Sequence, residues 1–226
     1  MFSFLRFLLG VLLLPACWGV TASIIRVLST CGISTCSLSF LAGVVAFALC
    51  WMLLSHPVKT YVLGHELTHA MWGLMFGAVP SRLRVGPRGG SVDLTKSNLL
   101  ITLAPYFFPF YTFIVIVIAV VVRCFVNPLP WLPFWIFLIG FTWAFHVLFT
   151  LDSLSQTQPD VTLYGRIFSW TFIFISNVLL VLFGIAFATG WRLGALCRLL
   201  GQSLANAYLW CWQGGVRLVD YLIHLS

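Results

Sequence analysis

Two histidines and the only glutamate of the chain lie within five residues of one another, as His65, Glu66 and His69. On a helix, positions i and i+4 lie on one face, so the imidazoles of His65 and His69 can bind the same metal ion. Glu66 would then stand beside the ion, where its carboxylate can take a proton from a water that the metal activates. These residue types at this spacing predict a zinc site with a general base, which is the chemistry of metal-dependent hydrolysis.

A hydrolytic zinc site usually has a third protein ligand and an open position for water. The chain contains four further acidic residues, Asp93, Asp152, Asp160 and Asp220. Asp93 falls in a predicted hairpin and Asp220 in the carboxyl-terminal tail. Asp152 and Asp160 remain as alternative third ligands, because both flank a membrane segment on one polar connection.

The composition indicates a membrane protein before any motif is considered. Of the 226 residues, 61% are hydrophobic and 8% are charged, and the uncharged runs are long enough to cross a bilayer. The net charge of +7 comes from arginines at the ends of apolar runs, as in membrane-flanking segments. We therefore expect an all-α polytopic membrane protein in contact with the lipid bilayer, with no nucleic-acid partner.

The order of apolar runs and breaks predicts about five to six membrane helices, one of them short or re-entrant. The run after His69 is too short to cross the hydrocarbon core by itself, whereas a tail rich in tryptophan and arginine is typical of helices lying in the membrane interface. The predicted spans are 7–25, 38–54, the motif helix 58–78, 97–122, 129–151 and 167–191, followed by the interfacial tail 192–226.

The segment 80–96 differs from the rest of the chain, because residues alternate on both sides of a turn rich in glycine and proline. This pattern predicts a small β-hairpin, and its basic residues, including Arg88, place it on the cytoplasmic side. Two roles are open: a basic surface loop, or an edge to which an extended substrate adds as a strand.

The metal site closes only if one segment between His65 and the aspartates fails to cross the membrane. The short motif helix is the first candidate, and the proline-interrupted run 97–122 is the second. A re-entrant motif helix places the amino terminus, the hairpin and the aspartates on the cytoplasmic side. Such a helix is tolerated at depth where protein or a water-filled cavity covers it.

The chain resembles the site-2 protease family of intramembrane zinc metallopeptidases, and looks like a small divergent branch. The similarity covers roughly 58–180: the His-Glu-x-x-His helix, a glycine-bearing strand region, and an aspartate about 80 to 90 residues later. It implies that His65 and His69 are zinc ligands and that Glu66 is the general base. Leu151-Asp152-Ser153 departs from the family's Leu-Asp-Gly, so Asp160, which follows a proline, is the favoured third ligand and Asp152 the alternative.

The resulting prediction is an intramembrane zinc metalloprotease that hydrolyses membrane-embedded protein substrates, in a cytoplasmic membrane of bacterial type. It comprises one membrane domain, 1–226, made of a two-helix unit 1–57, a metallopeptidase-like core 58–191 and the tail 192–226. The alternative is a non-catalytic metal-binding scaffold or assembly factor of the same fold. A metal transporter would need polar residues repeated through several spans, which this chain lacks.

Two polar residues inside the predicted spans have open roles. His146 either assists the metal site or makes a hydrogen bond between helices. Asn177 either orients a ligand or water, or ties membrane helices together.

Overall fold

The computed structural model describes residues 2–87 and 89–225. Arg88, expected in the hairpin turn, lies outside the described residues. The elements in chain order are α1 Phe2–Thr30, α2 Thr35–Leu53, α3 Val58–Met75, β1 Pro80–Gly86, β2 Gly89–Leu94, α4 Leu99–Phe107, α5 Phe110–Phe125, α6 Leu132–Ser155, α7 Pro159–Tyr164, α8 Arg166–Ala188 and α9 Leu193–Leu225.

Four of the described helices, α1, α2, α6 and α8, are long and apolar enough to cross a membrane. The predicted run 97–122 is instead a pair of helices, α4 and α5, bent by 76° at the break before Pro109. If this pair forms one span, the candidate spans number five. The motif helix α3 is not among these candidate spans. The structure is therefore compatible with a multi-pass membrane protein in which α3 is shorter or less apolar than the helices that could cross.

The chain divides into two compact units, one containing Ile33–Val161 and the other Met1–Gly32 with Thr162–Ser226. This division differs from the predicted two-helix unit 1–57 and core 58–191. The difference arises because helices that are distant in the sequence pack together, and glycines allow their backbones to approach closely. The order of helices in the sequence does not determine which of them make such contacts.

In the unit containing Ile33–Val161, α2 and α6 pack with their backbones in contact. Gly43 of α2 faces the backbone of Phe137, and Gly140 of α6 faces the backbone of Phe40. A neighbouring aromatic cluster of Phe47, Phe145 and Phe149 fills the space beside them. Tyr61 of α3 stacks on Phe149 with ring centroids 4.7 Å apart, and this contact attaches the motif helix to α6.

In the other unit, α1 packs against α8 and α9. A Cβ atom on Gly10 would lie 2.6 Å from the backbone nitrogen of Phe168, and one on Gly19 would lie 2.9 Å from Leu204. Arg6 of α1 donates a hydrogen bond of 2.6 Å to the carbonyl of Leu163. The tail, which we expected to contain interfacial helices, is a single helix of 33 residues.

The predicted hairpin is confirmed as an antiparallel pair of strands, β1 and β2. Its register shifts between Ser81 and Arg84, and Arg82 has a positive φ of 48°. Two residues of β1 therefore oppose Val92 alone, which is a β-bulge.

Candidate metal centre

His65 and His69 lie on one face of α3, as their spacing predicts. Their ring centroids are 4.9 Å apart, and their side chains are 12% and 11% exposed, respectively. The helix ends at Met75 and is followed by a turn at Gly77, whose φ of +69° suits a residue without a side chain. The motif is thus presented by a regular helix whose residues from Gly64 to Ala70 are buried or half-buried.

Asp160 stands at the start of α7 and directs its carboxylate at both imidazoles. Its Oδ2 atom lies 3.6 Å from Nε2 of His65 and 3.4 Å from Nε2 of His69. Zinc bonds of about 2.0 to 2.1 Å in a tetrahedral site place ligand atoms roughly 3.3 to 3.5 Å apart. The distances from Asp160 to the two histidines match this spacing, so the three side chains could hold a zinc ion.

Within the described part of the chain, this is the only group of three or more histidine, cysteine or acidic side chains that could hold a metal ion. Asp152, the alternative third ligand, is outside it. We expected Asp152 in a polar loop, but α6 continues through Ser155, so Asp152 lies in the last turn of that helix and is exposed.

Tyr106 of α4 contacts two of the three candidate ligands. Its hydroxyl donates a hydrogen bond of 3.3 Å to Oδ2 of Asp160. Its ring is nearly perpendicular to that of His65, with centroids 5.2 Å apart. Because Tyr106 is completely buried, it limits the positions available to both side chains.

The two histidines differ in what supports their second ring nitrogen. Nδ1 of His69 lies 2.8 Å from the carbonyl oxygen of Ile101 in α4. A carbonyl only accepts, so Nδ1 donates its proton to it, and Nε2 is the nitrogen that can bind a metal once the ring is neutral. Nδ1 of His65 is buried, and no described residue forms a hydrogen bond with it.

Glu66 is covered by the hairpin. It is 6% exposed, and a Cβ atom on Gly90 of β2 would lie 2.8 Å from its Cγ and 2.6 Å from Cγ1 of Val62. The backbone amide of Val92 also faces the Glu66 carboxylate and favours its charged form. Val92 lies opposite the bulge, where the regular pairing of the two strands is interrupted.

The two carboxylates have opposite electrostatic environments. Burial raises the pKa of Glu66, although the charge of His69 and the amide of Val92 lower it in part. Burial also acts to raise the pKa of Asp160, but the contacts from His65 and His69 outweigh burial and hold that pKa well below its ordinary value. A charged Asp160 suits a ligand, and a raised pKa suits a group that accepts a proton.

His146 of α6 lies near this centre but outside the candidate ligand group. With Tyr61 and His65 it lines a cavity of about 20 Å³, comparable to the space that one water occupies. Asn177 of α8 donates a hydrogen bond of 2.9 Å to the carbonyl of Ile173 in its own helix. The roles predicted for both residues stay predictions.

Sequence reasoning missed four contributors to the site: Tyr106, the carbonyl of Ile101, Gly90 and the backbone amide of Val92. Tyr106 and Ile101 belong to an apolar segment that reads as lipid-facing or core helix. The one available signal was the proline between them in the chain, Pro105, one of the prolines that interrupt the predicted run 97–122.

Comparison of the chain with protein-family models, with curated proteins and with solved structures gives no match.

Proposed function

We propose that this protein is a membrane-embedded zinc metallopeptidase that hydrolyses peptide bonds of membrane proteins, as its resemblance to the site-2 protease family implies. The observation that carries the proposal is the convergence of His65, His69 and Asp160 within 4.8 Å, with Glu66 on the same helix. Asp160 lies 91 positions after His69 in the sequence, so the tertiary structure brings the three side chains together.

In this mechanism His65, His69 and Asp160 would hold the ion. A zinc ion bound there supplies a Lewis acid that activates water and polarises the scissile carbonyl. Glu66 accepts the proton of the attacking water and passes it to the leaving amine nitrogen. Burial of Glu66 raises its pKa, which favours both the acceptance and the return of that proton.

An apolar groove beside α3 supports the proposal that the substrate is embedded in the membrane. It has a volume of about 480 Å³ and lies between α2, the start of α3 and α6. Tyr111 and Phe145 line both this groove and the cavity beside His65. An apolar segment in the groove would therefore lie next to the candidate metal centre.

We propose a cytoplasmic membrane of bacterial type as the location.

The test is metal content combined with hydrolysis, measured on the full chain in detergent. We expect near-stoichiometric zinc in the wild type and in Asp152→Asn, and loss of zinc in His65→Ala and Asp160→Asn. Cleavage of fluorescein-labelled casein should stop after chelation and resume when zinc is added. Asp152→Asn is the matched control, because it removes the same charge from the other candidate aspartate.

Two outcomes would contradict the proposal in different ways. Zinc binding without hydrolysis of casein or of any membrane peptide would favour the non-catalytic scaffold. If the folded protein did not bind zinc, the three side chains would not form a zinc site, and both the metallopeptidase and the metal-binding scaffold would be excluded.

A further inference from the structure

The carbonyl that supports His69 is unusual for one inside a helix. Ile101 lies in the first turn of α4, which extends from Leu99 to Phe107. In an α-helix the carbonyl of residue i accepts a hydrogen bond from the N–H of residue i+4. Four residues after Ile101 is Pro105, which has no backbone N–H to donate.

The neighbouring helix supplies the missing donor. Ile101 is 1% exposed, so its carbonyl is removed from solvent, and a buried carbonyl needs a partner. Nδ1 of His69 is 2.8 Å away. The same bond determines which nitrogen of His69 carries the proton and directs Nε2 toward Asp160, 3.4 Å away.

We propose that Pro105 is a positioning residue for metal binding. By withholding a backbone donor from the carbonyl of Ile101, it reserves that carbonyl for His69 and sets the orientation of this ligand. The inference rests on the metal site of the proposed function and is independent of whether the site hydrolyses peptides.

The proposal separates metal affinity from helix stability. Proline is the least favourable residue in a helix interior, so Pro105→Ala should restore a helical hydrogen bond within α4. The new N–H would compete with His69 for the carbonyl of Ile101. If Pro105 served only to shape the helix, Pro105→Ala would not weaken zinc binding while it stabilised α4.

The experiment measures zinc affinity by competition with a chelator, and thermal unfolding of the metal-free protein, on the full chain in detergent. We expect Pro105→Ala to weaken zinc binding by about 10- to 100-fold, the usual effect of losing a partner of a metal-bound histidine. The unfolding temperature of the metal-free variant should not fall below that of the wild type.

Pro15→Ala is the matched control, because Pro15 is also an interior helix proline, but none of the hydrogen bonds found among the described residues joins a histidine to the carbonyl four residues before it. We expect this variant to bind zinc like the wild type. Wild-type zinc affinity in Pro105→Ala would overturn the proposal, and so would an equal loss of affinity in Pro15→Ala.

A measurement on the wild type keeps the inference testable if Pro105→Ala does not fold. In the cobalt-substituted protein, the Nδ1 proton of His69 should exchange with D₂O more slowly than that of His65, because only the former is bonded to a described carbonyl. Equal exchange rates would overturn the proposal. Absence of casein hydrolysis would affect neither measurement, so the two proposals fail separately.

Discussion

The helix α4 and the β1–β2 hairpin contact the motif helix α3 in contrasting ways. All residues of α4 from Ile101 to Phe107 are buried, whereas almost every described residue of the hairpin is exposed or half-buried. The buried helix holds candidate ligands, through Ile101 and Tyr106. The exposed hairpin instead touches Glu66, through Gly90 and Val92.

This contrast suggests a division of tasks around one helix. A metal ligand must keep a single orientation, which a closely packed helix can impose. A general base must be oriented but also reached by water and substrate, which a strand near the surface permits. Changes on the α4 side should therefore alter metal affinity, and changes on the hairpin side should alter turnover at constant metal affinity.

The largest effect is expected for Glu66→Gln. Loss of the base should lower kcat for casein hydrolysis by about 10²- to 10⁴-fold, the range of general base catalysis. Zinc content should stay unchanged, since Glu66 is not one of the three candidate ligands. Side-by-side zinc analysis and steady-state kinetics measure both. Retention of full activity would exclude Glu66 as the base.

A smaller effect is expected for Gly90→Ala. The added Cβ would approach Glu66, Val62 and the backbone oxygen of Arg84 at distances below 3 Å, so β2 must shift away from the base. We expect kcat to fall by roughly 10- to 100-fold, part of the contribution of general base catalysis, with zinc affinity unchanged.

Gly86→Ala provides the control within the same hairpin. A Cβ on Gly86 would meet only the oxygen of Gly89, at 3.3 Å, so this variant should keep wild-type kcat. If Gly90→Ala lost zinc instead of turnover, the hairpin would support the ligands, and the division of tasks would be wrong.

The smallest effect is expected for Tyr106→Phe, which tests the α4 side. The variant loses only the hydroxyl bonded to Asp160, a long contact of 3.3 Å. We expect zinc affinity to fall by about tenfold, since a bond to a charged group contributes on the order of 1.5 kcal/mol. Chelator competition measures the change.

Tyr111→Phe removes a hydroxyl of the same kind on the neighbouring helix, where it donates to the carbonyl of Thr60 at 2.6 Å. Zinc affinity should be unaffected in this control. A larger loss of zinc affinity in Tyr111→Phe than in Tyr106→Phe would show that the hydrogen bond from Tyr106 does not position the carboxylate of Asp160 for metal binding.

Much of the local structure was predictable, because it depends on neighbours in the chain. The helical spacing of His65 and His69 was predicted from the period of the α-helix. The hairpin after α3 and the break at Pro109 follow from turn residues and from proline. The extent of the tail helix α9 was not predicted, since its composition suits one helix or two.

The choice between Asp160 and Asp152 shows where local reasoning stops. Both acids follow the same span and both could reach the motif by sequence distance alone. The structure separates them because α6 continues past Asp152, while α7 begins at Pro159 and aims Asp160 at the histidines. Such a difference depends on where one helix ends relative to another.

The amino-acid sequence by itself determined the membrane class, the motif helix and the hairpin, since composition and short-range periodicity specify them. Only the tertiary structure decided the partner of each functional group: Ile101 with His69, Tyr106 with Asp160, and Gly90 with Glu66. The physical reason is that these contacts join residues 24 to 54 positions apart, and their geometry depends on how whole helices and strands pack. No local pattern carries that information.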